Sequence, residues 1–142
     1  MNRIVAAAIA AAGLALAASG ASAEDWPDLT GVWTGVSHSV VRGDPPHHRS
    51  TEAAGDVRIS EREFIMRIDG QEGRNVWGTF ESSDSVEGVV GAIASDRRTI
   101  HMADTDGYSY IELVDADTLE VCYVLSAPEL QVASCSTMTR QP

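Results

Sequence analysis

The feature that most constrains this chain is a repetition. From residue 30 onward, runs of about six to twelve residues rich in Val, Ile, Thr and aromatics are each closed by Gly, Asp, Asn, Ser or Pro, and no helical period interrupts them. Eight such runs can be delimited, at 30–41, 57–68, 74–82, 86–94, 98–103, 108–114, 118–126 and 130–138. Most joints between them are short and carry turn chemistry: Asp69-Gly70-Gln71-Glu72-Gly73, Ser95-Asp96-Arg97, Asp104-Thr105-Asp106-Gly107 and Asp115-Ala116-Asp117. Short joints cannot connect parallel neighbours, so consecutive runs pair antiparallel. Eight meandering strands around a single core close most economically into an up-and-down barrel, because closure leaves no unpaired edge. The expected fold is therefore all-β, an eight-stranded antiparallel meander barrel, with a two-sheet sandwich as the competing layout.

What precedes the repetition reads as an address. Met1-Asn2-Arg3 supplies one positive charge, residues 4–18 are uncharged Ala, Ile, Val, Leu and Gly, and Ala21-Ser22-Ala23 stands before Glu24. A basic start, an apolar stretch of this length and an Ala-x-Ala ending are the three parts of a cleavable secretory signal. A spanning helix needs about 20 apolar residues. The expected division is thus a signal peptide at 1–23 and a single domain at 24–142, exported to a periplasmic or extracellular location without stable membrane insertion.

Charge and cysteines narrow the function. The chain has no lysine, ten arginines and 21 acidic residues. A Schiff-base lysine, a phosphate-loop lysine and an S-x-x-K centre are excluded, and so strong an acidic excess argues against nucleic acid as a partner. Cys122 and Cys135 are the only cysteines, and an even pair in an oxidising compartment forms a disulfide. A hairpin register centred between Pro128 and Glu129 places them directly opposite one another, within bridging distance.

Few residues mark chemistry. No metal-ligand spacing and no nucleophile elbow is present, and no cofactor is implied. His47 and His48 follow two prolines in the one long joint, residues 42–56. Read as an extended, solvated loop, they point opposite ways and seldom bind one ion, with a weak surface site for copper or zinc as the functional alternative; the long loop itself could cover one barrel mouth. Asp104-Thr105-Asp106-Gly107 fails as a calcium loop because Met102 and Leu113 fall on ligand positions, so a hairpin turn explains it. A two-residue turn at Asp106-Gly107 would set His101 opposite Glu112, an arrangement that supports either acid–base chemistry or a plain surface contact.

The barrel interior is more informative. Leu29, Gly31, Trp33, Gly35, Ser37 and Ser39 share one face of the first run, a single large aromatic followed only by small and hydroxyl residues. Phe80 and Ser82 share a face opposite to Trp77, and Leu119, Val121, Tyr123 and Leu125 face Val132, Ser134 and Ser136 in the last hairpin, with the cysteines on the other side. Apolar walls with a few hydroxyls suit a small-ligand pocket. They equally suit a filled eight-strand core.

Two segments resemble calycin sequences. Leu29-Thr30-Gly31-Val32-Trp33-Thr34-Gly35 resembles the opening strand of the avidin and streptavidin family and shares its Gly-x-Trp with lipocalins, and Gly78-Thr79-Phe80-Glu81-Ser82-Ser83 resembles a streptavidin-like third strand. The resemblance implies a calycin-like barrel with a ligand entering one open end. Carried over, Trp33 is the floor, Ser39 a ligand hydroxyl, Phe80 the place of a ligand-binding tyrosine and Ser82 a further polar contact. Gly35, the missing Phe80 hydroxyl and the lack of tryptophans after Trp77 argue against biotin. The expected function is non-catalytic binding of a small hydrophobic or amphipathic molecule through Trp33, Ser37, Ser39, Phe80, Ser82 and Tyr123. The alternative is a protein-interaction barrel, an inhibitor or envelope component, acting through its outer surface or the 42–56 loop.

Overall fold

In a computed structural model, residues 25–49 and 57–142 are described. The expected signal at 1–23 and the second half of the long loop, 50–56, lie outside the described residues. Eight strands follow one another: β1 Gly31–Arg42, β2 Val57–Glu72, β3 Asn75–Glu81, β4 Val86–Ile93, β5 Thr99–Ala103, β6 Tyr108–Asp115, β7 Thr118–Ser126 and β8 Gln131–Arg140. Each pairs antiparallel with the next and β8 returns to β1, closing the barrel. The sandwich is thereby replaced by a closed meander.

Alternation decides which residues fill it. Trp33, Ser37, Ser39 and Val41 of β1 are buried inside while Val36 and Val40 face out, and the inner faces anticipated for β3, β7 and β8 are the ones observed. Cys122 and Cys135 are cross-strand partners joined by a disulfide on the outer face, their Cα atoms 4.1 Å apart. Closing so short a loop stabilises the fold by about 3 kcal/mol in the chain-entropy model.

Two joints differ from expectation. Asp69-Gly70 is a β-bulge inside β2, and the hairpin turns two residues later at Gly73-Arg74, with Gly73 at φ +57°. Gly70 is there because the Trp77 ring lies across it: an added Cβ would meet that ring at 2.3 Å. At the other joint, Asp104 accepts hydrogen bonds from the Asp106 and Gly107 amides at 3.0 and 2.6 Å, so the turn occupies four residues. Ala103 then pairs with Tyr108, and His101 stands opposite Tyr110 rather than Glu112. Glu112 pairs with Thr99 and accepts a 3.0 Å hydrogen bond from Arg98, which removes the anticipated His101–Glu112 couple.

The end of the barrel where β1 begins is solid. Trp33, fully buried, sits among Met66, Ile93, Ile100, Ile111, Leu119 and Met138. Its indole N–H donates to the Leu29 carbonyl at 3.0 Å, and the Arg140 guanidinium lies 4.2 Å from the ring centroid. The Gln71 side chain ties the entering segment down, accepting from Leu29 N and donating to the Pro27 carbonyl, both at 2.9 Å. The opposite end, where β1 finishes, carries the long loop and the site.

Candidate functional site beneath a plugged barrel mouth

Pro45 and Pro46 dictate the local structure after β1. Their fixed φ starts a single 3-10 turn, Pro46–His48, in which the His48 amide donates to the Pro45 carbonyl at 3.0 Å. That turn is a plug. β3 stops at Glu81 opposite Ile65, so the upper half of β2 continues without a β3 partner, and its arginines hold the turn. Arg58 donates to the carbonyls of Gly43 and His48, Arg62 donates to the Arg49 carbonyl at 3.0 Å and pairs with Asp84 at 2.6 Å, and the Arg49 amide donates to Asp84 at 3.2 Å.

Both histidines therefore point inward, and the solvated, extended segment expected for them is corrected: a 3-10 turn places neighbouring side chains on adjacent rather than opposite faces. His47 Nδ1 lies 2.8 Å from the Ser82 hydroxyl and Nε2 3.2 Å from Glu87. Its ring packs 5.4 Å from Phe64 and 6.3 Å from Phe80. His48 is buried, with Nδ1 3.1 Å from the Ser60 hydroxyl and its ring 5.8 Å from Phe64. Burial, reinforced by Arg62, His47 and Arg58 and opposed by Asp84, pushes the His48 imidazole down to about 4, so it is neutral near pH 7.

Under the plug the barrel narrows to a small chamber. Phe64, Phe80, Val89, Met102 and Val121 form apolar walls, Ser37, Ser109, Ser134 and Ser136 add hydroxyls, and Glu87, Asp104 and Asp106 stand at the rim with Tyr123. The free space is about 30 Å³, room for roughly one water molecule. Ser109 and Ser136 are 8% and 6% exposed, and neither hydroxyl has a hydrogen-bond partner among the described residues. Their oxygens open onto the chamber instead of being sealed in the wall. The rim is acidic, with the His47 imidazole set against Glu87 and neither Lys nor Arg in the lining among the described residues. Burial, aided by Asp104 and Asp106, raises the Glu87 carboxyl above its usual range against the opposing pull of His47. Burial also raises the Tyr123 phenol, with Asp104, Glu87 and Asp106 acting in the same direction.

Of the six anticipated ligand residues, Ser37, Phe80 and Tyr123 line the chamber. Trp33 lies in the solid core below it. Ser39 is buried behind the wall, 3.0 Å from the Ser37 hydroxyl, and Ser82 anchors the plug through His47. Glu87 was not singled out from the sequence, although Glu87, Val89, Gly91 and Ile93 fall in one phase of β4, the phase that holds the buried Val89 and Ile93. A lone acid in register with core residues was the available signal.

These features define a class, a closed eight-stranded meander barrel with one solid end and one plugged mouth. No family model matches the chain, and no curated protein matches it. Among solved structures, the S-type phycobiliprotein lyase CPES from Guillardia theta is similar at 12% identity with a TM-score of 0.36, over 80% of this chain and 89% of that one. The fold is read from the strand pairing itself.

Proposed function

We propose that this is an exported, calycin-like barrel that binds a small amphipathic molecule in the chamber between Phe64, Phe80, Val121 and the Ser109 and Ser136 hydroxyls, without catalysis. The observation that carries this reading is that the Ser109 and Ser136 hydroxyls, without a hydrogen-bond partner among the described residues, open onto a chamber walled by Phe64, Phe80, Val89, Met102 and Val121. Their oxygens are open to the chamber and not sealed in the wall, so a bound molecule can hydrogen-bond to both. Ligand pockets commonly hold about 300–1,000 Å³, so binding requires the Pro46–His48 turn to move out. That turn is held by the Arg58, Arg62 and Asp84 contacts to its backbone and by the buried Pro45 and the His47 and His48 rings against Phe64 and Phe80, and opening releases both sets. The disulfide suits an oxidising compartment, and among the described residues no helix is long and apolar enough to cross a membrane.

A thermal-shift screen of amphipathic compounds tests the proposal on wild type, on His47→Ala, which loosens the plug, and on Ser136→Leu, which fills the chamber. Stabilisation of wild type and more strongly of His47→Ala, abolished in Ser136→Leu, is expected. Absence of stabilisation in both of the first two would sink it.

A second reading, contact with another protein, is favoured by one observation on the outside. Ile59, Val40, Ala133, Val124, Tyr108, Ala103, Val90 and Trp77 form an unbroken series of outward cross-strand partners around the barrel. A pull-down in which Val90→Glu and Val124→Glu lose a partner that wild type retains would support it, and unchanged partners would remove it.

A further inference from the structure

We propose, resting on the pocket reading above, that the molecule this chamber takes is a small aromatic amine, bound as its cation with the N–H directed at Glu87. Three observations converge. The first is charge: Glu87, Asp104 and Asp106 face the mouth, with neither Lys nor Arg in the lining among the described residues. With His47 displaced, an anionic head group would meet three carboxylates and neither Lys nor Arg among the described residues, whereas a cation pairs with them.

The second is the group already occupying the position. His47 presents an aromatic ring to Phe64 and Phe80, at 5.4 and 6.3 Å, while its Nε2 reaches Glu87 at 3.2 Å and its Nδ1 reaches Ser82 at 2.8 Å. The plug thus supplies, from within the chain, a flat ring with a nitrogen at the carboxylate. An arylalkylamine offers the same two features with a full positive charge and can take the place of His47. The ring would inherit the Phe64 and Phe80 contacts, and the ammonium the Glu87 contact.

The third observation lies deeper and does not depend on the acids. Ser109 and Ser136, more than nine-tenths buried, open onto the same space hydroxyls that have no hydrogen-bond partner among the described residues. Each can accept a further N–H from an ammonium or donate to a polar substituent on the ring. An aromatic body between them and the phenylalanines fills the apolar part of the wall.

The test is calorimetric titration of the disulfide-intact protein at pH 7.4 with three probes that share one ring system: 2-(1-naphthyl)ethylamine, 2-(1-naphthyl)ethanol and 1-naphthylacetate. The expected result is that the amine binds about tenfold or more tighter than the alcohol, and the carboxylate more weakly than either. Glu87→Gln should bring amine and alcohol to within about threefold of each other while the alcohol keeps its affinity. Asp106→Asn, at an exposed side chain, should narrow the gap by about threefold and serves if Glu87→Gln does not fold. Equal affinities for amine and alcohol, a tightest-binding carboxylate, or an amine preference untouched by both variants would overturn the cation proposal and leave the pocket standing. If no probe binds to wild type or to His47→Ala, the pocket reading fails together with it.

Discussion

At the scale of single residues, one side chain reports on the plug and one on the core. His48 titrates near 6.5 when unfolded and at about 4 when packed beneath Arg58 and Arg62. Because the folded value is depressed, the stability it contributes is complete above pH 6.5 and is lost progressively as pH falls through about 4. Burial, followed by Arg62, His47 and Arg58, opposes its protonation and Asp84 favours it. Thermal unfolding followed from pH 7.5 to 4 should therefore show a steeper loss for wild type than for His48→Asn. Parallel curves would mean that His48 is not the titrating group. Trp33 offers the contrasting case. It lies wholly in the solid end beneath Arg140, so Trp33→Ala should cost about 3–5 kcal/mol in denaturant unfolding and leave probe affinity within about twofold once the protein is folded.

At the scale of elements, the hairpins carry most of the stability that can be tested piecewise. Replacing both Cys122 and Cys135 by Ala should cost about 3 kcal/mol and lower the melting temperature by roughly 10 °C, measured by calorimetry. Gly70→Ala should cost about 1–3 kcal/mol, since its Cβ has no room beside the Trp77 ring; a neutral result would show that the bulge is soft. The same elements show what was legible beforehand. Strand number, the barrel's antiparallel pairing and the Cys122–Cys135 register followed from alternation and from one three-residue joint, because an apolar period of two leaves few choices. The β2–β3 turn was not legible. Asp69-Gly70 carries the composition of a turn, and only the Trp77 ring, seven residues further on, makes it a bulge. The His101 partner was missed for a related reason, as the Asp104 carboxylate captures two amides and lengthens the turn by two residues. The site was half legible. Ser37, Phe80 and Tyr123 follow from sidedness, whereas the inward turn of His47 and His48 depends on Arg58 and Arg62 from the next strand, a contact that no local pattern encodes.

At the scale of the whole molecule, the barrel divides its labour along its axis. The Trp33 end is packed solid and fixes the fold. The other end holds hydroxyls, an acidic rim without Lys or Arg among the described residues, a smaller apolar cluster of Val41, Leu125 and Val132, and a short turn fastened by polar contacts together with the Pro45, His47 and His48 side chains. The excess of 21 acids over ten arginines keeps the outside soluble, but the acids that matter for binding are the three gathered at one mouth. The central claim, that a ligand enters there by displacing the plug, is tested most directly by two-dimensional NMR of labelled protein titrated with 2-(1-naphthyl)ethylamine. The account predicts that Ser37, Phe80, Ser109, Tyr123 and Ser136 shift together, with His47 moving at the same saturation point. Shifts confined to the outward Trp77, Tyr108 and Val124, or saturation that leaves His47 in place, would contradict it.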